Sequence, residues 1–292
     1  MVSVCIPTYN GAQFILEALD SLNQQTYDHI EIVVSDDNSS DGTLQKIAEF
    51  KPQSKFPIHI FHHKPRGIAA NWNYSIEKSK GKYIKLLFQD DVFEPSCVEE
   101  MVEVFEENAG VGLVTSKRSI ISDLSNRFTE GWISNFHDLQ VNLDLPDKDI
   151  VVRKGRSLLK SPNFKLKPIN IIGEPSCYMF SKESFNTIGG FHKEMFQLVD
   201  YEFCLRIFKK YDVAFLKKSL VRFRLHQDQA SFVNHRNKSN DKELFYRLLY
   251  RDYFWYLHVN FKWLLIMRFN LLIKLYRYFR YDILKIKKHK SS

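Results

Sequence analysis

Ile30-Glu31-Ile32-Val33-Val34-Ser35-Asp36-Asp37-Asn38-Ser39-Ser40-Asp41-Gly42-Thr43 is a β-branched apolar run that stops on two carboxylates. Ile30–Ser35 predicts a buried strand, Asp36–Thr43 a polar turn, and Leu44–Phe50 a helix. Upstream, Val2–Ile6 reads as a strand ended by Pro7. Gly11–Gln24 then has helical spacing at Phe14, Ile15, Ala18, Leu19 and Leu22. Downstream, strands are expected at Ile58–His62, Tyr83–Phe88 and Val111–Thr115, with helices at Ala69–Ser79 and Ser96–Asn108. Strands alternating with helices at this spacing predict βαβ units, an α/β fold with a mostly parallel central sheet flanked by helices. In such sheets ligands gather at the carboxyl ends of the strands. Thr8-Tyr9-Asn10, Asp36-Asp37 and Asp90-Asp91 all fall there.

From Lys117 to Lys167 no clear period is visible, and the segment reads as an irregular insertion. Order returns at Ile171–Phe180, continues to a helix near Asp200–Lys210, and then to a strand, Val213–Leu216. From Asp241 the chain reads helical, and after Lys262 the cations spread around the wheel, which implies a break or a second helix there. The chain has 292 residues, 44% hydrophobic and 26% charged, with 11 Gly and 9 Pro, which excludes fibrous and disordered classes. Cys5, Cys97, Cys177 and Cys204 form no CxxC pair, so no cysteine-based zinc site is read. The net charge of +8 is not evenly spread. Residues 241–292 hold twelve Lys and Arg against four Asp and Glu, and 14 of the 42 aromatics, so the first 240 residues are neutral. Met1–Leu16 lacks a basic n-region and no run of 18 apolar residues occurs, so neither a signal peptide nor a membrane span is expected.

Four clusters carry chemistry. Asp36–Thr43 can be an Asx-rich helix cap; a calcium loop starting at Asp37 fails because its twelfth position is Ala48, not Glu. Placed after a buried strand, the same carboxylates can take hydrogen bonds from a base or sugar edge. Phe88-Gln89-Asp90-Asp91 pairs adjacent acids, which repel unless a cation such as Mn²⁺ or Mg²⁺ neutralises them; a helix cap is the plainer alternative. Asp200-Tyr201-Glu202 opens an amphipathic helix, where the acids either favour the helix dipole or supply a general base. Arg222-Phe223-Arg224-Leu225-His226, read as a strand, puts three cationic or titratable groups on one face, which suits a diphosphate or a solvated edge.

Taken in this order, the clusters resemble family 2 inverting glycosyltransferases of the GT-A fold. The resemblance rests on Val2–Asn10, Asp36–Thr43, Gly81-Lys82-Tyr83-Ile84 running into Asp90-Asp91, Gly189-Gly190-Phe191, and Asp200 through Arg206, over roughly residues 1–232. It implies a GT-A catalytic domain over 1–235, with 1–115 its nucleotide-sugar-binding half and 116–235 its acceptor-binding half, followed by a basic aromatic helical tail, 236–292. It further implies that Pro7, Thr8, Tyr9 and Asn10 line the nucleotide pocket and that Asp37 faces the base, with Asp36 beside it. Asn73 would help hold the nucleotide-sugar, and Asp90 would touch the ribose or sugar. Glu174 would face donor sugar and acceptor. Asp91 and His226 would serve Mn²⁺ or Mg²⁺, Arg224 the diphosphate, and Asp200 would be the catalytic base. The implied partners are a nucleotide-diphosphate sugar, biased to uridine, and a glycan or lipid-linked acceptor.

Two positions depart from the family pattern: Phe88 stands where a first metal-site Asp is usual, and Val199 where the base has an acidic neighbour. Neither a Gln-x-x-Arg-Trp motif nor the membrane spans of processive synthases are present, which implies addition of single sugars. In the tail, Arg247, Arg251, His258 and Lys262 fall within about 60° on a continuous helix, a basic stripe suited to an anionic bilayer or simply a solvated face. The expected location is cytoplasmic or peripheral on the cytoplasmic face of the inner membrane. A catalytically inactive nucleotide-binding scaffold is the rival reading; a nucleic-acid-binding protein is a weaker one, because the tail is too apolar for a solvated basic arm.

Overall fold

The computed structural model describes residues 1–122, 127–162, 170–226, 229 and 241–277. Among these, nine strands form one twisted sheet: β1 (Val2–Thr8), β2 (Ile30–Asp36), β3 (Ile58–His62), β4 (Tyr83–Leu86), β5 (Val92–Phe93), β6 (Val111–Ile121), β7 (Ile150–Lys154), β8 (Tyr178–Ser181) and β9 (Asp212–Arg224). The order is β3-β2-β1-β4-β8-β6-β9-β5, with β7 paired to the first half of β9. β1 lies between β2 and β4, pairing Cys5 with both Val33 and Leu86, and every residue of β1 and β2 is buried. Burial on both faces is why these strands read as unbroken apolar runs rather than alternating ones.

The parallel character expected from the sequence is confined to β3-β2-β1-β4 and the β6–β9 pair; β8 runs antiparallel between β4 and β6. The sheet is therefore mixed, and it joins residues before and after position 115 without a break.

Helices α1 (Ile15–Asn23), α2 (Thr43–Phe50), α3 (Ile68–Lys78) and α4 (Cys97–Glu107) follow the strands of the first half. α1 buries Ile15, Ala18, Leu19 and Leu22, the apolar stripe of its sequence. The segment 117–167 is more ordered than expected. β6 continues to Ile121, and α5 (Arg127–Phe136), β7 and α6 (Gly155–Lys160) follow. The expected strand Val213–Leu216 is part of the thirteen-residue β9, whose exposed Lys217 and Lys218 lie opposite register shifts in β6 and hide its continuity.

α7 (Lys182–Ile188) starts on Ser181, whose hydroxyl accepts from Ser184 N at 3.0 Å, a cap that contributes about 1 kcal/mol. α8 (Val199–Lys210) follows. The carboxyl-terminal region is not one continuous helix: α9 (Asp241–Leu248) passes through a wide turn at Leu249–Tyr253 and a 3₁₀ turn at Phe254–Tyr256 into α10 (Val259–Phe269) and α11 (Leu271–Arg277). The expected basic stripe is accordingly broken. Arg247 pairs with Glu243 and Arg251 with Asp252, while His258 caps α10 by accepting from Asn260 N. Nor does the expected division at 235/236 separate two cores. Phe245, Leu249, Tyr253, Phe261 and Leu265 belong to the cluster that holds Phe203, Phe208 and Phe180. No helix among the described residues is long and apolar enough to cross a membrane.

Candidate active site

The cleft is built on the carboxyl ends of β1, β2 and β4 and closed by the turn before β8 and the start of α8. At the end of β1, Thr8 Oγ1 donates to Asp36 Oδ1 at 2.9 Å, and Asp36 also accepts from Ser39 N (2.9 Å) and Ser39 Oγ (2.5 Å) and pairs with His62 (3.2 Å). Asp36 has no exposed surface. It fixes the 36–39 turn and offers no free oxygen to a nucleotide, which corrects its expected place in the pocket lining.

Asp37 faces the loop before α3. Its Oδ1 accepts from Arg66 N at 2.7 Å and its Oδ2 from Gly67 N at 3.0 Å. Gly67 has φ +83°, a left-handed conformation that a side chain would strain, and it lets both amides converge on one carboxylate. Tyr9 is held by its backbone: Gln89 Oε1 accepts from Tyr9 N at 2.9 Å, and Gln89 Nε2 donates to Tyr9 O at 3.0 Å. The Tyr9 side chain is left 58% exposed at the rim. Asn10 adopts positive φ, and its Oδ1 accepts from Ser40 N at 2.9 Å, tying the β1 and β2 turns together. Pro7 is buried in β1.

Asn73 is drawn inward. Its Nδ2 donates to Phe191 O at 2.9 Å and its Oδ1 accepts from Phe191 N at 2.7 Å. A Cβ on Gly190 would stand 2.5 Å from Asn73 Oδ1, so Gly190 is what permits this staple. Asn73 therefore clamps α3 to the 189–191 turn instead of lining the nucleotide pocket as expected. Arg224 is likewise committed. Its Nε donates to Asp90 O at 3.0 Å, its guanidinium pairs with Glu17, and it lies 4.7 Å from the Phe14 ring. It fixes the Asp90–Asp91 turn; it does not present a free cation to a diphosphate.

Asp91 is fully buried. Its Oδ1 accepts from Arg224 N at 3.1 Å, whereas Oδ2 has no hydrogen-bond partner, although the Ser176 hydroxyl is near enough to favour the charged form. Burial, with the neighbouring Asp90 charge second, pushes its carboxyl well above the usual range. An orphaned carboxylate oxygen in the interior is costly, and a hard cation is the partner that would satisfy it. His226 Nε2 lies 2.9 Å from Asp90 Oδ2, so His226 meets Asp90, while its ring packs on Phe14. No group of three His, Cys, Asp or Glu placed to hold a metal ion occurs among the described residues. Oxygen donors at Asp90 and Asp91 with one imidazole nearby still suit Mn²⁺ or Mg²⁺, provided donor phosphates complete the shell. Phe88, at the departing position, packs against Trp72, with ring centroids 5.0 Å apart and planes tilted by 35°.

Asp200 opens α8 and is partly exposed. Its Oδ2 accepts from Asn170 Nδ2 at 2.7 Å and its Oδ1 from Tyr201 N at 2.8 Å. Burial pushes its carboxyl up to about 6, against the opposing pull of these hydrogen bonds. Glu174 is bidentate on Arg118, at 2.5 and 2.9 Å, and its charge reaches both Asp200 and Asp91. Val199 is buried in the core.

Several residues that shape this site are not singled out by the sequence. Lys85, fully buried in β4, donates to Ser176 O at 2.6 Å and holds the 174–177 turn against the Asp91 strand end; burial lowers its pKa. Arg118 sits inside the segment read as irregular. Asn170 carries no pattern of its own. Asp241, the first residue of α9, accepts at one oxygen from Phe196 N (2.9 Å), Gln197 N (2.5 Å) and Leu198 N (3.0 Å), directly before α8.

The family model described as Glycosyl transferase family 2 matches residues 3–189. An uncharacterized glycosyltransferase of Rickettsia felis is 29% identical over 244 residues, which cover 82% of this chain and 37% of the relative. The chain thus spans about a third of that protein's length. An uncharacterized protein of Mycobacterium tuberculosis is 29% identical over 75% of this chain and 66% of its own. Chondroitin synthase of Escherichia coli is 24% identical over 71% of this chain and 26% of its own. Among solved structures, S. aureus TarS 1-349 in complex with UDP-GlcNAc superposes with a TM-score of 0.64 at 17% identity, covering 98% of this chain and 76% of that one. At that identity the likeness shows the fold, a GT-A arrangement.

Proposed function

The chain belongs to glycosyl transferase family 2, and on that premise we propose that it moves one sugar from a nucleotide-diphosphate donor, a UDP-sugar, to a hydroxyl of a glycan or lipid-linked acceptor, inverting the anomeric carbon. The observation that carries the reading is the 173–176 turn: Asn170 Nδ2 donates to Gly173 O and to Asp200 Oδ2, both at 2.7 Å, and Ser176 Oγ accepts from Phe88 N at 3.2 Å, three residues before the buried Asp91. In this reading the cation end and the base end of the reaction lie on either side of that turn. Asp200 takes the acceptor proton, and a carboxyl near 6 is ionised at neutral pH yet basic enough to help. The exposed Tyr9 ring offers a stacking face for the base, with the Asp37 loop beyond it.

Asp91, with Asp90 and His226 beside it, would hold Mn²⁺ or Mg²⁺, which supplies charge stabilisation for the diphosphate leaving group. Arg118 and Lys85 keep the Glu174–Ser176 turn in place between the two ends. The enzyme works in the cytoplasm or at the cytoplasmic face of the inner membrane, in assembly of a cell-surface polysaccharide. A match to TarS in complex with UDP-GlcNAc supports a uridine nucleotide.

The test is a panel of nucleotide-sugars scored by thermal stabilisation with and without Mn²⁺, followed by transfer assays with Asp200→Asn. We expect a Mn²⁺-dependent shift with a UDP-sugar, and Asp200→Asn to bind that donor normally while losing about 10²–10⁴-fold in transfer. Near-normal turnover by Asp200→Asn would overturn the assignment.

A further inference from the structure

α10 is two-sided in an unusual way. Phe261 and Leu265 are buried against the core, whereas Val259 and Trp263, about 160–200° around the helix from Phe261, stand in water. Trp255 just before it is 81% exposed, Trp263 62%, and Leu272 on α11 75%, with Leu271 and Leu275 also exposed. Single exposed apolar residues are ordinary; six large ones within 21 residues are not.

The charge of the same segment names the occupant. The whole basic excess of +8 lies in residues 241–292, while the first 240 residues are neutral. Lys262 Nζ sits 5.9 Å from the Trp255 ring, so a cation flanks the exposed indole. Past Leu275 the sequence adds Arg277, Arg280, Lys285, Lys287, Lys288 and Lys290 against Asp282 alone. A second copy would bring two such basic faces together, and they would repel. Nucleic acid would satisfy the cations and the indoles but leave Val259, Leu271, Leu272 and Leu275 without partners. An anionic bilayer meets both requirements: apolar side chains enter the headgroup–acyl boundary, indoles stay at the interface, and cations meet lipid phosphates.

We propose that Trp255, Trp263 and the Leu271–Leu275 flank form a docking face for an anionic lipid bilayer. The proposal rests on the glycosyltransferase reading only for what docking would bring near, a lipid-linked acceptor; lipid binding itself is measured without donor or acceptor. The experiment uses the full chain in co-sedimentation with phosphatidylcholine vesicles, with and without phosphatidylglycerol. Binding is expected with phosphatidylglycerol, weakening as salt rises. The exposed-site variant Trp255→Ser/Trp263→Ser/Leu272→Ser should lose at least about tenfold in partitioning, with unchanged melting temperature and unchanged UDP-sugar stabilisation.

Equal pelleting of wild type and variant overturns the face, as does absence of wild-type binding. A dimer in sedimentation velocity that the variant abolishes assigns the face to a second copy and overturns the proposal. A salt-sensitive gel shift with RNA that the variant abolishes, without vesicle binding, does the same. Failure of UDP-sugar stabilisation with vesicle binding intact would instead count against the catalytic reading alone.

Discussion

Removing the Asn170 amide tests whether Asp200 is the base and whether its environment sets the working pH. Asn170 Nδ2 lies 2.7 Å from Asp200 Oδ2, and a donated hydrogen bond favours the ionised carboxylate. Hydrogen bonds to charged groups are worth about 1.5–3 kcal/mol, and about 1.4 kcal/mol is a tenfold change in an acid dissociation constant, a pKa change of about one. Because Asp200 is partly exposed, the lower end applies, and Asn170→Ala should carry the carboxyl from about 6 to roughly 7. A base works only when ionised, so activity falls as pH drops through this value. At pH about 6 the ionised fraction goes from about a half to about a tenth, a fivefold loss of kcat/KM, and by about pH 8 the loss nearly vanishes. Asn170 also holds its own turn, donating to Gly173 O and accepting from Ile172 N. Asn170→Asp controls for that, since it keeps the acceptor while placing a second carboxylate against Asp200; its acid limb should lie above that of Asn170→Ala. The assay is nucleotide release against pH at saturating acceptor. An acid limb unmoved in both variants, or moved equally, would refute the electrostatic account.

Asp91→Asn keeps the shape and the acceptor for Arg224 N but removes the buried charge. It should melt at or above the wild-type temperature and lose Mn²⁺-dependent donor stabilisation, and a retained Mn²⁺-dependent shift would count against a cation there. Tyr9→Ala removes the exposed stacking face and should weaken UDP-sugar binding by about tenfold, measured calorimetrically, since stacking on a base is worth about 1–3 kcal/mol. Asp241→Ala strands three amides before α8 and should cost about 2–4 kcal/mol in urea unfolding. Asp241→Asn should recover most of that loss, because one oxygen accepts all three.

Legibility in the sequence followed burial. β1 and β2 are buried at every residue, so their runs announce strands without ambiguity, and the acids that end them fall at the sheet edge. β6 and β9 are longer than their apolar runs because Lys117, Arg118, Lys217 and Lys218 sit inside them. Arg118 is buried there only because Glu174, 56 residues later, neutralises it, a long-range pairing that no local period encodes. Placement at an element end was readable for Asp37, Asp90, Asp91 and Asp200, which follow β2, precede β5 and open α8. Direction was not: Asp36, Asn73 and Arg224 lie at the expected places but turn their polar atoms to Ser39, Phe191 and Glu17. A sequence motif names a residue type at a strand end, whereas competing donors and acceptors nearby decide which way it points.

The grip of Asp241 on the three amides before α8 changes what the carboxyl-terminal helices are for. They are not an appendage to a finished body; they are a clamp whose jaw closes two to four residues upstream of Asp200, on the segment that leads into α8. Cutting the chain at residue 240 would therefore free the three amides that set the start of α8. A displacement of the outer helices has a short, hydrogen-bonded path to the first turn of α8, where Asp200 sits.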